Sequence, residues 1–313
     1  MSRKGTAPIA TKIASMIDAK KIYNSNNVVD GVSFDLLAGK TTVLVGPNGS
    51  GKTTTMEMLV GLRSMSEGRA TIAGIPVLPG GEHRFYTGVQ LQSSGLPARI
   101  KTKEVIRAVE CLYANPSDWR PMAAALGVDS YLDSLVDNLS GGERRRLDIL
   151  CAAIGQPALL VLDEPTSGVD PEGRAIIWDF VRALSARGCA VLASTHDMAE
   201  AEAFADDLLV LAQGKIRLRG SVKEVLASLG GEHRLRITEI NKRVKELVEE
   251  SGLNHGQTGS SMVVIGEIGE ISKLAQHIAE EGTKTEVLTG PVRLEDVFAV
   301  ATVMEAEDKG ELQ

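Results

Sequence analysis

Residues 46–54 read GPNGSGKTT, and they stand between a short apolar run, Thr42–Val45, and a helical pattern of apolar residues. A strand, a glycine-rich loop and a helix in this order are the setting of a phosphate-binding P-loop. Glycines let several backbone N–H groups face one anion, and the N-terminus of the following helix adds partial positive charge. We expect Lys52 to reach the β- and γ-phosphates of a nucleotide and Thr53 to offer its hydroxyl to Mg²⁺. The predicted phosphate-binding residues are Gly46, Pro47, Asn48, Gly49, Ser50, Gly51, Lys52, Thr53 and Thr54.

A second apolar run ends in two acids. The run is Leu159–Leu162, and Asp163-Glu164-Pro165 follows it. An apolar strand that brings an acid to its C-terminal end is the Walker B arrangement. We expect Asp163 to hold Mg²⁺ through water and Glu164 to polarise the water that attacks the γ-phosphate. The two acids can take different roles because successive strand residues point in opposite directions.

The segment LSGGE at residues 139–143 comes directly before an amphipathic helical pattern. Ser140 and Glu143 fit an S-x-x-E capping box, which accounts for both of them as a helix start. The capping box does not account for Gly141 and Gly142, because each glycine costs about 1 kcal/mol relative to alanine in a helical turn. Two glycines at a helix N-terminus instead leave bare N–H groups open to an anion.

LSGGE resembles the signature sequence of the ABC ATPase family, and the resemblance covers roughly residues 15–230. In that family the signature lies against the γ-phosphate of ATP that is held by the P-loop of the other subunit, so that one chain contains half of each of two sites. The resemblance implies ATP and Mg²⁺ as ligands. It implies two kinds of partner, a second nucleotide-binding subunit, as in a homodimer, and integral membrane permease subunits. The signature residues implied to bind nucleotide are Ser140, Gly141, Gly142 and Glu143.

Two further positions match the family upstream of the signature. Tyr23 stands where the family stacks an aromatic ring on adenine. The segment Gly88-Val-Gln-Leu-Gln92 resembles the one that ends in the Q-loop glutamine, which contacts Mg²⁺ and the attacking water and links the site to the membrane partner. Gln92 is the better match, and Gln90 is the alternative if the register is two residues shorter.

Two more positions match downstream. The segment Ser167-Gly-Val-Asp170 resembles the D-loop, with Val169 where leucine is more usual, and the resemblance implies that it runs along the subunit interface. His196, in Ser194-Thr-His-Asp197, matches the switch histidine that contacts the γ-phosphate. The predicted catalytic residues are therefore Glu164, His196 and Gln92, the predicted metal-binding residues are Thr53, Gln92 and Asp163, and Asp170 is placed beside the nucleotide.

Short apolar runs that alternate with helical patterns predict an α/β fold, a P-loop ATPase core with a mixed sheet. Residues about 94–155 lack strand runs up to the signature helix and predict a helical subdomain. After Gly230-Gly231 the pattern changes to short alternating pieces, which predict a small α+β domain. The predicted organisation is a flexible tail at 1–14, a nucleotide-binding domain at 15–230 and a C-terminal regulatory or dimerisation domain at 231–313.

Near the C-terminus, Leu294-Glu295-Asp296-Val297-Phe298 resembles the LEDVF ending of drug-resistance-type ABC-2 exporter ATPases, which favours export. Leu294, Val297, Phe298 and Ala301 form one face of a helix. That face can belong to the core of its own small domain, which we favour, or it can form a dimer contact.

Composition narrows the function classes. The net charge of −7 gives no basic field for nucleic acid or anionic lipid, so that we expect no nucleic-acid partner. Three widely spaced cysteines form no zinc pattern, and we expect reduced, mostly buried thiols. Neither a secretory signal nor an apolar run of about 18 residues is present, which predicts a cytoplasmic protein. The family resemblance implies that a permease partner holds it at the inner face of the membrane. Two alternatives stay open, an ABC-type ATPase that acts on nucleic acid or ribosomes, and a nucleotide-gated regulatory module.

Overall fold

The computed structural model describes residues 11–24, 26–92, 95–281, 286–297, 299 and 300. The chain divides into two compact units, residues 1–216 and 217–313. The sequence pattern placed this boundary later, at 230. Residues before 230 already contact the second unit's sheet, since the Asn254 amide donates to the carbonyl of Leu229 at 3.0 Å. Residues 1–10 of the predicted tail, 1–14, lie outside the described residues. The predicted end of the tail at residue 14 is too late, because strand β1 already begins at Lys12.

The strands are named in chain order. They are β1 (Lys12–Tyr23), β2 (Asn26–Leu37), β3 (Thr41–Val45), β4 (Glu67–Ile72), β5 (Ile75–Pro76), β6 (Thr87–Gln90), β7 (Leu159–Asp163), β8 (Ala190–Thr195), β9 (Asp207–Ala212), β10 (Lys215–Gly220), β11 (His233–Thr238), β12 (Asn254–Thr258), β13 (Ser261–Gly266) and β14 (Val287–Pro291).

The α-helices are named in the same way. They are α1 (Lys52–Leu59), α2 (Thr102–Glu110), α3 (Trp119–Ala125), α4 (Gly141–Ala153), α5 (Pro171–Ser185), α6 (Met198–Phe204), α7 (Val222–Ala227), α8 (Lys242–Ser251) and α9 (Ile268–Glu280). Among the described residues, no helix combines the length and the apolar character that a membrane span requires.

A six-stranded sheet in the order β10-β9-β3-β8-β7-β6 forms the centre of the first unit. Its inner strands β3, β7 and β8 are buried along their whole length, which explains why they appear in the sequence as continuous apolar runs. The pairs β3–β8, β7–β8 and β6–β7 are parallel. The carboxyl ends of these strands therefore meet at one edge, where Val45 pairs with Thr195 and Asp163 pairs with Ser194. This edge positions the candidate site.

An antiparallel sheet in the order β2-β1-β4-β5 packs against the same core. The sequence pattern did not predict it, and the register of β1 gives the reason. Its pairing with β2 shifts between Met16 and Ala19, where Asp18 has a φ of 48°. Such bulges interrupt the two-residue alternation by which a strand is recognised in a sequence.

Between β6 and β7 the described residues form helices and short 3₁₀ turns, as the predicted helical subdomain requires. The helix α4 that follows the signature packs against β6 and β7 with its buried residues, among them Leu147 and Leu150. Its N-terminal residues, in contrast, are exposed or half-buried. The signature therefore sits at the outer end of a helix whose other end is anchored in the core.

The second unit is a four-stranded antiparallel sheet in the order β12-β13-β11-β14. Helices α8 and α9 cover one face with a core that includes Leu235, Val248 and Leu274. The helical residues 294–297 hold Leu294 and Val297 fully buried, as the domain-core interpretation predicts. Arg234 of β11 binds the buried carboxylate of Asp296 at 2.8 Å. Phe298 and Ala301, the other members of the predicted helix face, lie outside the described residues.

Candidate functional site

The phosphate loop holds its lysine inside the loop. The ammonium group of Lys52 donates to the backbone carbonyls of Gly46, at 2.7 Å, and Pro47, at 3.2 Å. The side chain is buried, and this desolvation lowers the pKa of Lys52, although the negative charges of Glu164 and Asp163 act in the opposite direction. Among the described residues, the hydrogen-bond partners of this buried ammonium are neutral carbonyls, which phosphate oxygens can replace.

Two glycines of the loop are required by close backbone approach. A side chain at Gly46 would place its Cβ 2.2 Å from the carbonyl oxygen of Leu211. At Gly51 the Cβ would lie 2.7 Å from the carbonyl of Val28, and φ is 102°. Neither position can accept a larger residue without moving the backbone.

The N-terminus of α1 is open to an anion. Gly51 is its N-cap residue and provides no side-chain cap, and the first turn contains no acid. The buried hydroxyl of Ser50 has no hydrogen-bond partner among the described residues. Uncapped N–H groups and an unpartnered hydroxyl at a helix N-terminus are what a phosphate group needs.

A hydroxyl and a carboxylate meet where the metal ion was predicted. Thr53 Oγ1 donates to Asp163 Oδ2 at 2.8 Å, which joins the phosphate loop to the end of β7. Asp163 is buried, with 1% of its surface exposed, and among the described residues its carboxylate accepts hydrogen bonds from the hydroxyls of Thr53 and Ser194. A buried carboxylate beside a hydroxyl supplies the hard oxygen atoms that Mg²⁺ prefers. The residues present therefore fit this ion.

Ser194 contacts both Walker B acids, although the sequence pattern gave it no role. Its hydroxyl donates to Asp163 Oδ1 at 2.5 Å and accepts the backbone N–H of Glu164 at 2.9 Å. In the segment Ser194-Thr-His-Asp197, the sequence pattern predicts a role for the histidine alone. The available signal was that Ser194 ends an apolar strand parallel to β7, which puts its side chain level with Asp163.

Glu164 and His196 lie next to one another. His196 Nδ1 is 3.4 Å from Glu164 Oε1, and 60% of the histidine side chain is exposed against 14% of the glutamate. Glu164 has a φ of 49°, a left-handed conformation that is uncommon outside glycine, asparagine and aspartate. The turn after β7 thus directs the Glu164 carboxylate toward the histidine while Asp163 faces Thr53.

The two glutamines of the predicted Q-loop occupy different surroundings. Gln90 ends β6, is buried, and donates its amide to the backbone carbonyls of Leu91 at 2.5 Å and Asp163 at 3.3 Å. Gln92, the residue preferred from the sequence, is exposed, and its backbone carbonyl accepts from Arg145 at 3.4 Å. In this conformation it is Gln90 that lies beside the Walker B strand.

Tyr23 ends β1 and is partly exposed. Its hydroxyl accepts a hydrogen bond from Arg63, and Lys21 lies 5.1 Å from the centre of its ring. These contacts orient a ring that keeps accessible surface for a planar group.

The signature forms the predicted capping box. Ser140 Oγ accepts the N–H of Glu143 at 3.2 Å, and the Glu143 carboxylate accepts the N–H of Ser140 at 2.8 Å. Among the described atoms, a Cβ at Gly141 would meet nothing within 4 Å, and one at Gly142 would meet only Val169 of the D-loop, at 3.6 Å. The Tyr131 hydroxyl also donates to the backbone carbonyl of Glu143 at 3.1 Å. Within this chain the signature stands apart from Lys52, Thr53, Asp163, Glu164 and His196, which share one edge of the sheet.

Asp170 begins α5 as its N-cap residue and is exposed. The preceding Val169 is buried, which fits the leucine that is more usual there. The exposed carboxylate of Asp170 stands at the surface and not among the groups that surround Asp163.

Comparison with known proteins gives a consistent result. The family model for ABC transporters matches residues 29–167. The Nod factor export ATP-binding protein I of Paraburkholderia xenovorans is 32% identical over 304 residues, covering 92% of this chain and 96% of the relative. The protein of the same name from Ralstonia nicotianae is 36% identical over 224 residues, covering 69% and 70%. A solved ATP-binding subunit of an ABC transporter superposes with a TM-score of 0.64 at 25% identity, covering 69% of this chain and 92% of that one.

Proposed function

The chain belongs to the ATP-binding subunits of ABC transporters, and we propose that it hydrolyses ATP with Mg²⁺, paired with a second such subunit, to drive export through separate membrane-spanning subunits. The observation that carries the proposal is the convergence at one sheet edge of a buried lysine, a hydroxyl–carboxylate pair and a glutamate–histidine pair. These groups match the parts that phosphoryl transfer requires.

Residues 46–54 bind the phosphate groups of ATP. The Lys52 ammonium exchanges its two carbonyl partners for β- and γ-phosphate oxygens, and the N–H groups before α1 bind the same anion. The Tyr23 ring stacks on adenine. Thr53 and Asp163 would hold Mg²⁺, which supplies positive charge to the phosphate oxygens when bound.

Glu164 is the general base of hydrolysis. Its carboxylate accepts a proton from the water that attacks the γ-phosphate, and His196 contacts both this carboxylate and the γ-phosphate. Ser194 fixes the backbone of Glu164 while it orients Asp163. Because one serine bonds the Asp163 carboxylate and the backbone N–H of Glu164, the turn at the end of β7 is held in place before ATP binds.

The second half of each site comes from another subunit. Gly141 is exposed, Gly142 is half-buried beside Val169, and Asp170 of the D-loop is exposed. We assign this surface to the γ-phosphate and the P-loop of a second copy. ATP then binds the closed pair better than the open one, and its hydrolysis releases the pair.

The proposal that the chain drives export through membrane partners is supported by the names of its relatives. Two of them are named as Nod factor export ATP-binding proteins. On this proposal the chain lies on the cytoplasmic face of the membrane, bound to permease subunits that determine the cargo. Gln92 serves as the Q-loop glutamine that links the site to these subunits, and Gln90 holds the end of β6 against β7.

The proposal is tested first by Glu164→Gln. We expect unchanged ATP affinity by calorimetry, a loss of turnover of about 10²–10⁴-fold, and an ATP-dependent dimer in size-exclusion chromatography. Glu202→Gln, which changes an exposed acid of α6, is the control and should behave as the wild type. Normal turnover in Glu164→Gln would remove Glu164 from the reaction, and unchanged ATP binding in Lys52→Ala would remove the P-loop assignment.

The two glutamines are separated by a second pair of variants. Gln92→Ala should lower ATP turnover and weaken its stimulation by the co-purified permease while the melting temperature stays unchanged. Gln90→Ala should lower the melting temperature, because it leaves the end of β6 without the bond to Asp163. The opposite pattern would assign the Q-loop role to Gln90.

A further inference from the structure

A buried acid next to the site has no place in the proposed reaction. Glu200 lies in the first turn of α6 and exposes only 7% of its surface. Its Oε2 accepts hydrogen bonds from two hydroxyls, Thr166 Oγ1 at 2.7 Å and Thr195 Oγ1 at 3.2 Å. A buried carboxylate is costly unless it is paired and hydrogen-bonded. The loss of either hydrogen bond would therefore destabilise the ionised carboxylate of Glu200.

The two threonines lie close in sequence to the two reacting side chains. Thr166 follows Glu164 by two residues, and Thr195 directly precedes His196. One carboxylate oxygen of Glu200 therefore ties the loop after β7 to the last residue of β8. Glu164 and His196, whose Oε1 and Nδ1 atoms are 3.4 Å apart, are close in sequence to the two threonines that this bond pair joins.

Arg174 extends the network to the D-loop. Its Nη1 donates to Asp197 Oδ2 at 3.1 Å and lies 3.6 Å from Glu200 Oε1, and its Nε donates to the backbone carbonyl of Val169 at 2.9 Å. Asp197 in turn caps α6 by accepting the N–H groups of Ala199 and Glu200. A single guanidinium thus joins the D-loop to the histidine loop, which only its planar, multi-donor head can do.

We propose that Glu200 and Arg174 are positioning residues of the ATPase site. Glu200 holds the loops of Glu164 and His196 in register, and Arg174 couples the position of the D-loop to that pair. The inference rests on the proposed roles of Glu164 and His196. If the D-loop moves when a second subunit docks, the network carries this movement to the groups that attack the γ-phosphate.

The cleanest test removes one hydroxyl. The hydrogen bond that the structure gives Thr166 Oγ1 is the one to Glu200, so Thr166→Val breaks this tie at constant shape, and Thr166→Ser keeps it. We expect kcat to fall roughly tenfold or more in Thr166→Val, while KM for ATP changes less than about twofold, and Thr166→Ser to restore kcat. An equal loss in both variants, or a change confined to KM, would overturn the role of Glu200.

Two further measurements guard against a folding effect. In the double cycle of Thr166→Val with Glu200→Gln, the losses in kcat should be less than additive, because both changes disturb the same bond; additive losses overturn the proposal. Arg174→Lys keeps the charge but cannot reach both Val169 and Asp197, and it should lower the Hill coefficient for ATP. An unchanged Hill coefficient and kcat would remove Arg174 from the network's function.

Glu164→Gln is measured beside these variants. Normal turnover in that variant means that the proposed function of the site has failed. Loss of turnover in Glu164→Gln together with normal kinetics in Thr166→Val means that the site is assigned correctly and that only the positioning network has failed.

Discussion

Helices α4 and α7 both begin with a capping box formed by a serine and a glutamate. In α4, Ser140 and Glu143 exchange hydrogen bonds at 2.8 and 3.2 Å, and in α7, Ser221 and Glu224 do the same at 2.8 and 3.3 Å. Each serine bonds the N–H of the third helical residue, and each glutamate returns to the N–H of its serine. As helix starts, the two segments are equivalent.

They differ in the two residues between serine and glutamate. The α4 segment has Gly141 and Gly142, whereas α7 has Val222 and Lys223. A capping box needs no glycine, and among the described atoms a Cβ at Gly141 would meet nothing within 4 Å. The packing within the subunit therefore leaves room for a side chain at position 141, yet the residue there is glycine. We infer that the glycine at 141 serves a contact outside the subunit, which we assign to the γ-phosphate of ATP bound by a second copy.

The largest effect is expected from an acid placed at the first residue of each helix. Gly141→Asp and Val222→Asp both put a negative charge at a helix N-terminus, where the helix dipole favours it by about 0.3–1 kcal/mol. Both variants should therefore keep their melting temperature. Gly141→Asp should lose ATP turnover by about a hundredfold or more, because the carboxylate repels the phosphate of the opposing site. Val222→Asp should retain full turnover.

ATP turnover and thermal unfolding, measured on Gly141→Asp and Val222→Asp, test whether the signature glycines contact a phosphate. If Gly141→Asp hydrolyses ATP normally, the signature glycines have no phosphate to contact. If Val222→Asp loses turnover to the same extent, the comparison between the two helix starts is invalid.

Features that are local in sequence could be predicted, and features that depend on distant contacts could not. The elements of the parallel core were predictable, since β3, β7 and β8 are buried on both faces and appear as unbroken apolar runs. The P-loop and the Walker B acids follow such runs directly, which is why the groups joined by the Thr53–Asp163 bond could be named in advance. The capping box of α4 was predictable for the same reason, because it is local in sequence.

What escaped prediction depends on contacts between distant residues. The β1 strand is broken by a bulge at Asp18, so that its alternation is lost. Ser194, Arg174 and Glu200 act through partners in other loops, up to 34 residues away in the bond between Thr166 and Glu200. The surroundings of Gln90 and Gln92 depend on how β6 ends beside β7, which no local pattern specifies.

A smaller effect is expected from the two serines. Ser140→Ala and Ser221→Ala each remove the side-chain acceptor of a capping box, which costs about 1 kcal/mol of helix stability. Their unfolding free energies should therefore fall by similar amounts. Only Ser140→Ala should also lose turnover, by about tenfold, because its hydroxyl is assigned to the phosphate of the second site. Denaturant unfolding and steady-state kinetics on both variants measure this, and an equal kinetic loss in Ser221→Ala would contradict it.

The smallest effect concerns the two glutamates. The hydrogen bond from the backbone N–H of Ser140 lowers the pKa of Glu143, and the backbone of Ser221 lowers the pKa of Glu224 in the same way. A lowered pKa in the folded state means that each cap contributes its stability above the unfolded pKa of about 4.3 and loses it as the pH falls through the folded value. Carboxyl NMR titration without nucleotide should accordingly find both groups below the ordinary range of glutamate.

Nucleotide should then separate the two groups. In the Glu164→Gln background, ATP places negative charge beside Glu143 of the closed pair and none beside Glu224. A like charge disfavours the ionised carboxylate, so that ATP should raise the pKa of Glu143 and leave that of Glu224 where it was. A matched shift at both positions would point to a change in the whole fold. No shift at Glu143, in a sample whose dimer is verified by size-exclusion chromatography, would mean that the dimer forms without bringing the signature to the phosphate.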